Sequence, residues 1–405
     1  MPGDRERAMP VTLTPEGLRR RLKRHILREQ QTFFAVTTPG FENALLDEIR
    51  ELPDAVIIGQ VNGGVEFAGP MELMYHAAAG LRTANRLIMR VAEFTARSYP
   101  ELYNKVKRLP IEWFAAFAEG IAVEASSTAS RLHHTGNIEK AVFDACAARL
   151  ASFGLAIGRD DGAPIRFLVR MNEDHCTISI DASGPLFYKR GYRLDTAHAP
   201  LRETTAAALL LLSDWRKFPV IADPLCGSGT FIIEAALLAL GVKPGAGRSC
   251  AFRAWPCFNE GLWNRIKQAP SGSVPPPAFP KLRGSDISSS AVQAAIANAE
   301  RAGVTACVSF ATGNCLEFNG FGDLKAPGLV IANLPYGKRV STAGAAQNEW
   351  PQRFGNRLRR ACRGWSWGFV TDDRHFARAA GLRQRSCLPF RNGGLDVYFV
   401  TGTIT

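Results

Sequence analysis

The residues with the clearest chemical potential lie in Ile331-Ala332-Asn333-Leu334-Pro335-Tyr336-Gly337, directly after an apolar run that predicts a strand. An exocyclic amine on a nucleobase is a weak nucleophile because its lone pair is delocalised into the ring, so an enzyme must hold it while a bond forms. The Asn333 amide oxygen and the backbone carbonyl before Pro335 can each accept one N–H, and the Tyr336 ring can stack on the base. Asn333, Leu334, Pro335 and Tyr336 are the candidate catalytic residues, with an ordinary turn as the alternative.

A glycine-rich turn, Asp223-Pro224-Leu225-Cys226-Gly227-Ser228-Gly229-Thr230, follows another predicted strand and precedes a predicted helix. Gly227 and Gly229 allow the backbone to approach a ligand closely. No lysine follows to complete a phosphate-binding P-loop, and the third glycine of the dinucleotide fingerprint is missing. The turn therefore favours a small nucleoside ligand, while an ordinary tight turn remains open.

The next two predicted strands also end in polar side chains. Asp286, in Gly284-Ser285-Asp286, can accept hydrogen bonds from both hydroxyls of a ribose, or it can cap the following helix. Asn314, in Thr312-Gly313-Asn314, can meet an adenine edge. The candidate cofactor-binding residues are Asp223, Pro224, Cys226, Gly227, Gly229, Thr230, Asp286, Ile287, Asn314, Cys315 and Asn333.

The elements that must position these residues alternate between strand and helix patterns after residue 200, which predicts βαβ units around a parallel sheet. The predicted strands are 220–222, 281–285, 308–311 and 329–332, the predicted helices are 201–214, 230–240 and 290–302, and the proline-rich segment 268–281 is predicted to be a surface loop. Earlier segments have an α+β pattern. We predict a basic arm at 1–30, small domains at 31–95 and 96–190, and the α/β domain at 191–405.

Composition limits the class of protein and its partners. The chain has 405 residues, of which 46% are hydrophobic, and its apolar runs are too short to cross a bilayer, so we expect a cytoplasmic globular protein. Nine cysteines without a CxxC pair predict free thiols and no metal site. A formal charge of +12 favours a polyanionic partner, and basic residues cluster at 19–24, at 353–391 and, interleaved with aromatic residues, at 187–193.

Taken together, these motifs resemble THUMP-domain RNA guanine-N2 methyltransferases, in particular the first methyltransferase module of bacterial 23S ribosomal RNA enzymes. The resemblance runs from about Phe33 to Thr403. Besides the segments described above, it rests on Phe34-Ala35-Val36-Thr37-Thr38-Pro39-Gly40, Gly63-Gly64-Val65-Glu66-Phe67, Lys189-Arg190-Gly191-Tyr192-Arg193, Ala199-Pro200-Leu201-Arg202-Glu203-Thr204, the aromatic segment from Phe252 to Trp263, and Asn392-Gly393-Gly394-Leu395-Asp396.

The resemblance implies a ferredoxin-like domain and a THUMP RNA-binding domain before a Rossmann-like methyltransferase domain that uses S-adenosylmethionine. Asp223, Gly227 and Gly229 would line the methionine side of the cofactor, Asp286 its ribose and Asn314 its adenine. Similar enzymes carry aspartate at 314 and proline at 334, which predicts a weaker adenine contact and a less rigid loop. The candidate RNA-binding residues are Lys105, Arg131, His134, Lys140, Lys189, Arg190, Arg193 and Arg202.

Several alternatives stay open. Within RNA, 23S ribosomal RNA is preferred over tRNA because the aromatic segment is similar to that of the ribosomal enzymes, and a monomer is expected. DNA adenine-N6 and protein glutamine-N5 methyltransferases use a similar Asn-Pro-Pro-Tyr loop, but the basic first half favours RNA. A catalytically weak RNA-binding assembly factor of the same fold is the alternative from another functional class.

Overall fold

Two β-sheets, one in each half of the chain, organise the computed structural model. The structure describes Gly17 and residues 30–194, 201–269, 278–319, 327–335 and 344–405, without the side chains of 344–348. The predicted basic arm, apart from Gly17 and Gln30, and residues 270–277 of the predicted loop lie outside the described residues. Tyr336 and Gly337 of the candidate catalytic loop also lie outside them.

The first half contains an eight-stranded sheet in the order β2-β3-β1-β4-β8-β7-β5-β6. Its strands are β1 (Gln31–Val36), β2 (Val56–Val61), β3 (Gly64–Gly69), β4 (Arg86–Thr95), β5 (Gly120–Thr128), β6 (Gly158–Arg159), β7 (Arg166–Asn172) and β8 (His175–Asp181). The helices of this half are α1 (Glu42–Arg50), α2 (Met71–Gly80), α3 (Tyr99–Val106), α4 (Glu112–Ala115) and α5 (Thr135–Ala151). The pairings of β5 are parallel, whereas the other pairings in this sheet are antiparallel.

Strand β4 joins the two regions that the sequence predicts as separate small domains. It pairs with β1 on one side and with β8 on the other. The sequence analysis does not predict β4, because Leu87, Ile88 and Met89 are all buried and give a continuous apolar run in place of alternation. The division at residue 95 stays a prediction, while the strands on both sides of it form one sheet.

The second half contains a seven-stranded sheet in the order β11-β10-β9-β12-β13-β15-β14, which confirms the predicted α/β pattern. Its strands are β9 (Val220–Asp223), β10 (Lys281–Asp286), β11 (Val308–Thr312), β12 (Leu329–Asn333), β13 (Ser366–Thr371), β14 (Arg383–Asn392) and β15 (Leu395–Thr403). The helices are α6 (Glu203–Leu212), α7 (Thr230–Ala239), α8 (Glu260–Gln268), α9 (Ser289–Arg301), α10 (Gly344–Ala361) and α11 (Phe376–Ala379). In this sheet β15 is antiparallel to both β13 and β14, and the other pairings are parallel.

Each face of the second sheet carries its own apolar core. Ile221, Ile331 and Phe399 contribute to one core with residues of α6 and α7, and Ala222, Ala332 and Val400 contribute to the other with residues of α10 and α11. This division follows from the alternation of side chains along a strand. All ten residues of α7 are buried, so this helix is apolar on every side apart from Glu234.

The two halves also share a core. Phe252, Trp255 and Trp263 follow α7 in the chain but pack into the core of the first half. The Tyr75 and Phe252 rings lie 5.1 Å apart, and the Phe114 and Trp255 rings 5.2 Å apart. The aromatic segment therefore anchors the second half to the core of the first half, a role that its sequence does not predict.

None of the helices in the described ranges is long and apolar enough to cross a membrane. Among the described residues there is also no cluster of three or more His, Cys, Asp or Glu side chains that could hold a metal ion.

Candidate functional site

The predicted site residues meet at one edge of the second sheet. Asp223, Asp286 and Asn333 are the last residues of β9, β10 and β12, three parallel neighbours whose carboxyl ends share this edge. Each of these three residues follows, at a spacing of two, a residue on the sheet face that carries α6 and α7. The residues on that face are Ile221, the close-packed Gly284 and Ile331. Because side chains alternate along a strand, the three polar groups lie on this same face of the sheet.

The turn between β9 and α7 requires its glycines. Gly227 has a φ of 52° and Gly229 a φ of 84°, both in the left-handed region that favours glycine. A Cβ atom on Gly229 would also lie 2.9 Å from the Phe310 ring. The Cys226 N–H donates to the Ser285 carbonyl at 2.9 Å, which ties the turn to β10. Pro224, Cys226 and Thr230 are buried within this turn.

Asp286 organises the turn and still has acceptor capacity. One carboxylate oxygen accepts from the Gly227 N–H at 2.9 Å, and the other accepts from the Ser288 N–H at 2.9 Å. The N-cap of α9 is Ser288, whose hydroxyl accepts from the Ala291 N–H at 3.3 Å, so the alternative capping role belongs to Ser288. Each carboxylate oxygen keeps a lone pair for a ligand hydroxyl. The neighbouring Ile287 side chain is 70% exposed and offers an apolar surface beside this carboxylate.

Asp223 is buried at the start of the same turn, with 2% of its surface exposed. One of its oxygens accepts from the Leu225 N–H at 3.0 Å. Burial raises the pKa of Asp223 well above its ordinary value, against the lowering effect of this hydrogen bond, and the charge of Asp286 raises it further. A cationic ligand group beside Asp223 would favour its ionised form.

Asn314 uses its acceptor locally. Its Oδ1 accepts from the Leu316 N–H at 3.0 Å and caps the short 3₁₀ turn Cys315–Glu317. The amide NH₂ group and the second lone pair of Oδ1 remain to meet an adenine edge. The next residue, Cys315, is buried.

Asn333 carries an acceptor that the fold leaves unused. Its Oδ1 is buried and has no hydrogen-bond partner among the described residues. A buried acceptor without a partner is costly, and such atoms in native structures are often reserved for a ligand or water. The position of this oxygen at the carboxyl edge fits the predicted contact with a planar amine.

The Leu334 side chain does not face the candidate site, so the role predicted for this residue falls to its backbone carbonyl, the one before Pro335. Its side chain is buried in the apolar core that also contains Val330 and Phe354, on the face opposite Asn333. Its N–H donates to the Val370 carbonyl at 3.0 Å, a hydrogen bond that proline could not make. The expectation of a less rigid loop is therefore wrong at this peptide unit. Pro335 is exposed.

Two of the predicted RNA-binding arginines are structural. The Arg190 side chain is 2% exposed and binds both oxygens of the buried Glu234, at 2.8 and 3.2 Å. The Arg193 side chain is 9% exposed and lies 3.1 Å from a carboxylate oxygen of Glu203. Because both guanidinium groups are buried in ion pairs, neither is available to a phosphate. A sequence pattern of alternating aromatic and basic residues does not distinguish a buried ion pair from a basic strip at the surface.

The other six predicted RNA-binding residues are at the surface, and three of them have acidic neighbours. Lys189 and Arg202 are exposed, and the Arg202 guanidinium lies 4.9 Å from the centre of the Tyr188 ring. Salt bridges join Lys105 to Glu101 at 2.7 Å, Arg131 to Asp174 at 3.7 Å and Lys140 to Asp144 at 2.6 Å, and His134 is exposed. These contacts leave the basic groups accessible to solvent.

The sequence analysis misses a buried polar network behind the glycine turn. The Tyr192 hydroxyl donates to Glu234 at 3.0 Å, and Arg190 donates to the Arg82 carbonyl at 2.9 Å. Arg82 in turn donates to the Leu237 carbonyl of α7 at 3.2 Å. One signal was available: Glu234 is the single charged residue in the apolar helix α7, and a buried acid requires a buried partner.

The order of the seven-stranded sheet, its antiparallel β15 and the glycine turn after β9 define a class I methyltransferase with a Rossmann-like fold, a class whose methyl donor is S-adenosylmethionine. The chain belongs to the RMKL-like methyltransferase domain family, whose model matches residues 190–400. Residues 32–88 match the RlmL ferredoxin-like domain.

Relatives and solved structures agree with this assignment. Ribosomal RNA large subunit methyltransferase K/L from Methylococcus capsulatus is 32% identical over 90% of this chain. The chain spans about half the length of the K/L relatives that it matches. The crystal structure of SMU.472 complexed with SAH superposes with a TM-score of 0.81 at 28% identity, over 93% of this chain and 99% of that one.

A second solved structure carries a different functional name. It comes from Listeria monocytogenes and is named a predicted N6-adenine-specific DNA methylase. It has a TM-score of 0.81 and 28% identity, over 92% of this chain and 96% of that one. The comparisons therefore support a methyltransferase, and the names of the relatives differ in the nucleic acid that is modified.

Proposed function

We propose that this protein transfers a methyl group from S-adenosylmethionine to the exocyclic N2 amine of a guanosine in structured RNA, with large-subunit ribosomal RNA as the substrate. The observation that supports this proposal best is the Oδ1 of Asn333, which has no hydrogen-bond partner in the described ranges and lies on the sheet edge that also carries the glycine turn. The SAH-bound relative SMU.472 has the same fold over nearly its whole length.

The residues present fit this cofactor. Gly227 and Gly229 give the turn the left-handed backbone conformation along which the methionine part would lie, and Asp223 would face its ammonium group. Asp286 would accept from the ribose hydroxyls, while the exposed Ile287 would lie against the adenine. When bound, S-adenosylmethionine supplies an electrophilic methyl group on its sulfonium.

Asn333 would hold the guanine amine during the transfer. Its Oδ1 accepts one N–H, which orients the nitrogen lone pair toward the methyl group as the nitrogen pyramidalises. Transfer of the methyl group would form the N–C bond as the S–C bond breaks and would leave S-adenosylhomocysteine, and the extra proton on the nitrogen would pass to water. This chemistry requires no residue that acts as a strong base.

RNA as the substrate is supported by charge and by the names of relatives. The formal charge of +12 favours binding to phosphates. Lys189 and Arg202 lie beside the amino end of α6, which is at the carboxyl edge because α6 runs antiparallel to β9. Arg131 and His134 lie beyond β5, next to the Asp174 turn at the far end of β4. Thr204, two residues after Arg202, donates to Asn85 just before β4, so the ten residues of β4 separate the pair Lys189 and Arg202 from the pair Arg131 and His134 by about 30 Å. An RNA that contacts both pairs would have to be extended.

A gene deletion tests the proposal. N2-methylguanosine in ribosomal RNA, measured by nucleoside mass spectrometry, should fall in the deletion strain and return with the wild-type gene but not with an Asn333→Ala variant. Transfer RNA and DNA are measured in parallel. If N2-methylguanosine were lost from tRNA alone, the substrate would be tRNA and not ribosomal RNA. If N6-methyladenine were lost from DNA, the reaction would be adenine-N6 methylation of DNA, as in the name of the Listeria relative.

A further inference from the structure

The hairpin of β14 and β15 extends beyond the other strand ends of the second sheet. Asn333, Val370 and Phe399 lie level with one another across β12, β13 and β15. From Phe399 the paired hairpin continues to Leu395, so it overhangs the site edge by about 13 Å, at about 3.3 Å per residue. Its tip is Asn392-Gly393-Gly394-Leu395, a motif for which the proposed reaction has no role.

The tip exposes one large apolar side chain on the face that carries Asn333. Val397 and Phe399 are buried on this face in the same core as Ile331, and Leu395 continues their alternation. Leu395 is nevertheless 49% exposed. The tip stands clear of neighbouring atoms, because a Cβ on Gly393 or Gly394 would meet nothing within 4 Å.

Both halves of the molecule hold the base of the hairpin. The Phe390 ring lies 5.1 Å from the ring of Phe41, which belongs to the first half. A Cβ on Gly40 would lie 3.1 Å from the Pro389 carbonyl, so the turn after β1 packs closely against β14. At the tip, Arg391 donates to the Gly394 carbonyl at 3.1 Å. Leu395 therefore lies at the tip of a hairpin whose base is held by contacts with both halves of the molecule.

We infer that Leu395 is a wedge that fills the space left in the RNA stack when the target guanosine turns out toward Asn333. This inference rests on the proposed function. A base within a helix must leave the stack before its amine can be methylated, and apolar side chains that enter base steps stabilise such distortions. With two strand spacings of about 4.8 Å between β12 and β15, the tip lies about 16 Å from Asn333, the scale of an extruded nucleotide and its neighbouring base.

Leu395 is then a positioning residue, and its effect on the methylation rate depends on whether the target guanosine is paired or unpaired. Leu395→Ala should slow the methylation of a paired guanosine by about tenfold, the scale of losing part of one base-stacking interaction. The same substitution should change the rate by less than about twofold when the guanosine is already unpaired, because no gap in a stack then needs filling. Leu395→Met should keep a rate near that of the wild type on both RNAs.

The guanosine that loses its methyl group in the deletion strain is first located by primer extension on the ribosomal RNA. The experiment then uses the full chain and two hairpin RNAs that carry this guanosine, one with the guanosine paired and one with it in a bulge. Single-turnover rates are measured at saturating S-adenosylmethionine. Leu212→Ala is the matched control, since Leu212 is 40% exposed at the end of α6 that lies on the opposite edge of the sheet. Equal losses on both RNAs, or no loss on the paired RNA, would overturn the wedge. If the wild type methylates neither RNA, the proposed function itself fails.

Discussion

At the scale of single residues, the site separates cofactor binding from chemistry. Asp286 shapes the glycine turn through its bond to the Gly227 N–H, and Asn333 presents an acceptor with no partner in the described part of the chain. Substitutions at the two positions should therefore affect different measurements: cofactor affinity for Asp286 and the transfer rate for Asn333.

Asp286→Asn should weaken S-adenosylmethionine binding by about thirtyfold, or about 2 kcal/mol, because the ribose hydroxyls lose a charged acceptor. Isothermal titration calorimetry measures this directly. The matched control is Ser288→Ala, which removes the N-cap of α9 and should lower stability by about 1 kcal/mol while cofactor affinity stays unchanged. If both variants lose affinity equally, Asp286 acts only through the turn.

S-adenosylmethionine affinity should also depend on pH. The pKa of Asp223 is raised in the free protein by burial and by Asp286, and a cofactor ammonium group would favour the ionised carboxylate. Binding then releases a proton, so affinity should rise with pH up to the raised pKa, within the range below about pH 7 where an α-amino group stays protonated. Cys226 and Asp286 are the titratable neighbours. Asp223→Asn should flatten the profile, and an unchanged slope in that variant would exclude Asp223 as its source.

The candidate site is predictable where a residue ends a strand, and less so elsewhere. Asp223, Asp286 and Asn333 follow apolar runs, and the carboxyl ends of parallel strands must share an edge. The buried positions of Arg190 and Arg193 are not predicted, because their partners Glu234 and Glu203 come from later in the chain. Sequence alone does not show which charges meet.

At the scale of elements, helix α7 connects the cofactor turn to the first half of the molecule. It begins directly after Gly229, and its buried Glu234 accepts from Arg190 and Tyr192. Arg82, which follows α2, donates to the carbonyl of Leu237 near the end of the helix. The helix that follows the glycine turn is thereby fixed to the first half of the molecule, beside which we place the RNA.

Removing one partner of this buried ion pair should be costly. Arg190→Met leaves Glu234 as an unpaired buried acid, and it should lower the free energy of unfolding by about 3 to 5 kcal/mol. The matched control is Asp144→Ala, which breaks the exposed pair of Lys140 and Asp144 and should have little effect. Chemical denaturation of the full chain measures both. A loss in Arg190→Met no larger than in the control would show that the network does not stabilise the fold.

The elements that were predicted correctly have clear periodicity between turn residues, as in β9, β12 and α7. Two others were missed for physical reasons. Strand β4 is buried on both faces at Leu87, Ile88 and Met89 and loses alternation there. Helix α10 contains Pro351, which is unusual inside a helix and masks its pattern. Several arginines of the cluster at 353–391 also have local roles: Arg357 donates to the Glu317 carbonyl and Arg359 to the Ala380 carbonyl.

At the scale of the whole molecule, the two halves form one structural unit. Phe252, Trp255 and Trp263 of the second half are buried in the core of the first half. A fragment that begins near residue 195 would expose these side chains and leave Glu234 without Arg190. The contribution of the first half to RNA binding is therefore better measured with surface substitutions in the full chain than by truncation.

The proposed RNA-binding surface beside the site predicts a change in salt dependence. Lys189→Ala combined with Arg202→Ala removes two exposed cations near the amino end of α6. The slope of log affinity against log salt should become shallower by about 0.7 to 0.9 for each phosphate that is no longer neutralised. Filter binding to ribosomal RNA over a series of salt concentrations measures this slope. An unchanged slope would place the RNA on another surface of the protein.

The most direct test of the account identifies the product of the purified chain. Ribosomal RNA from the deletion strain is incubated with the protein and S-adenosylmethionine that carries an isotopic label in its methyl group, and the nucleosides are separated by mass spectrometry. The account predicts labelled N2-methylguanosine with the wild type and at least a hundredfold slower labelling with Asn333→Ala, the scale of removing one transition-state hydrogen bond. Label at adenine N6, or equal labelling by both proteins, would contradict it.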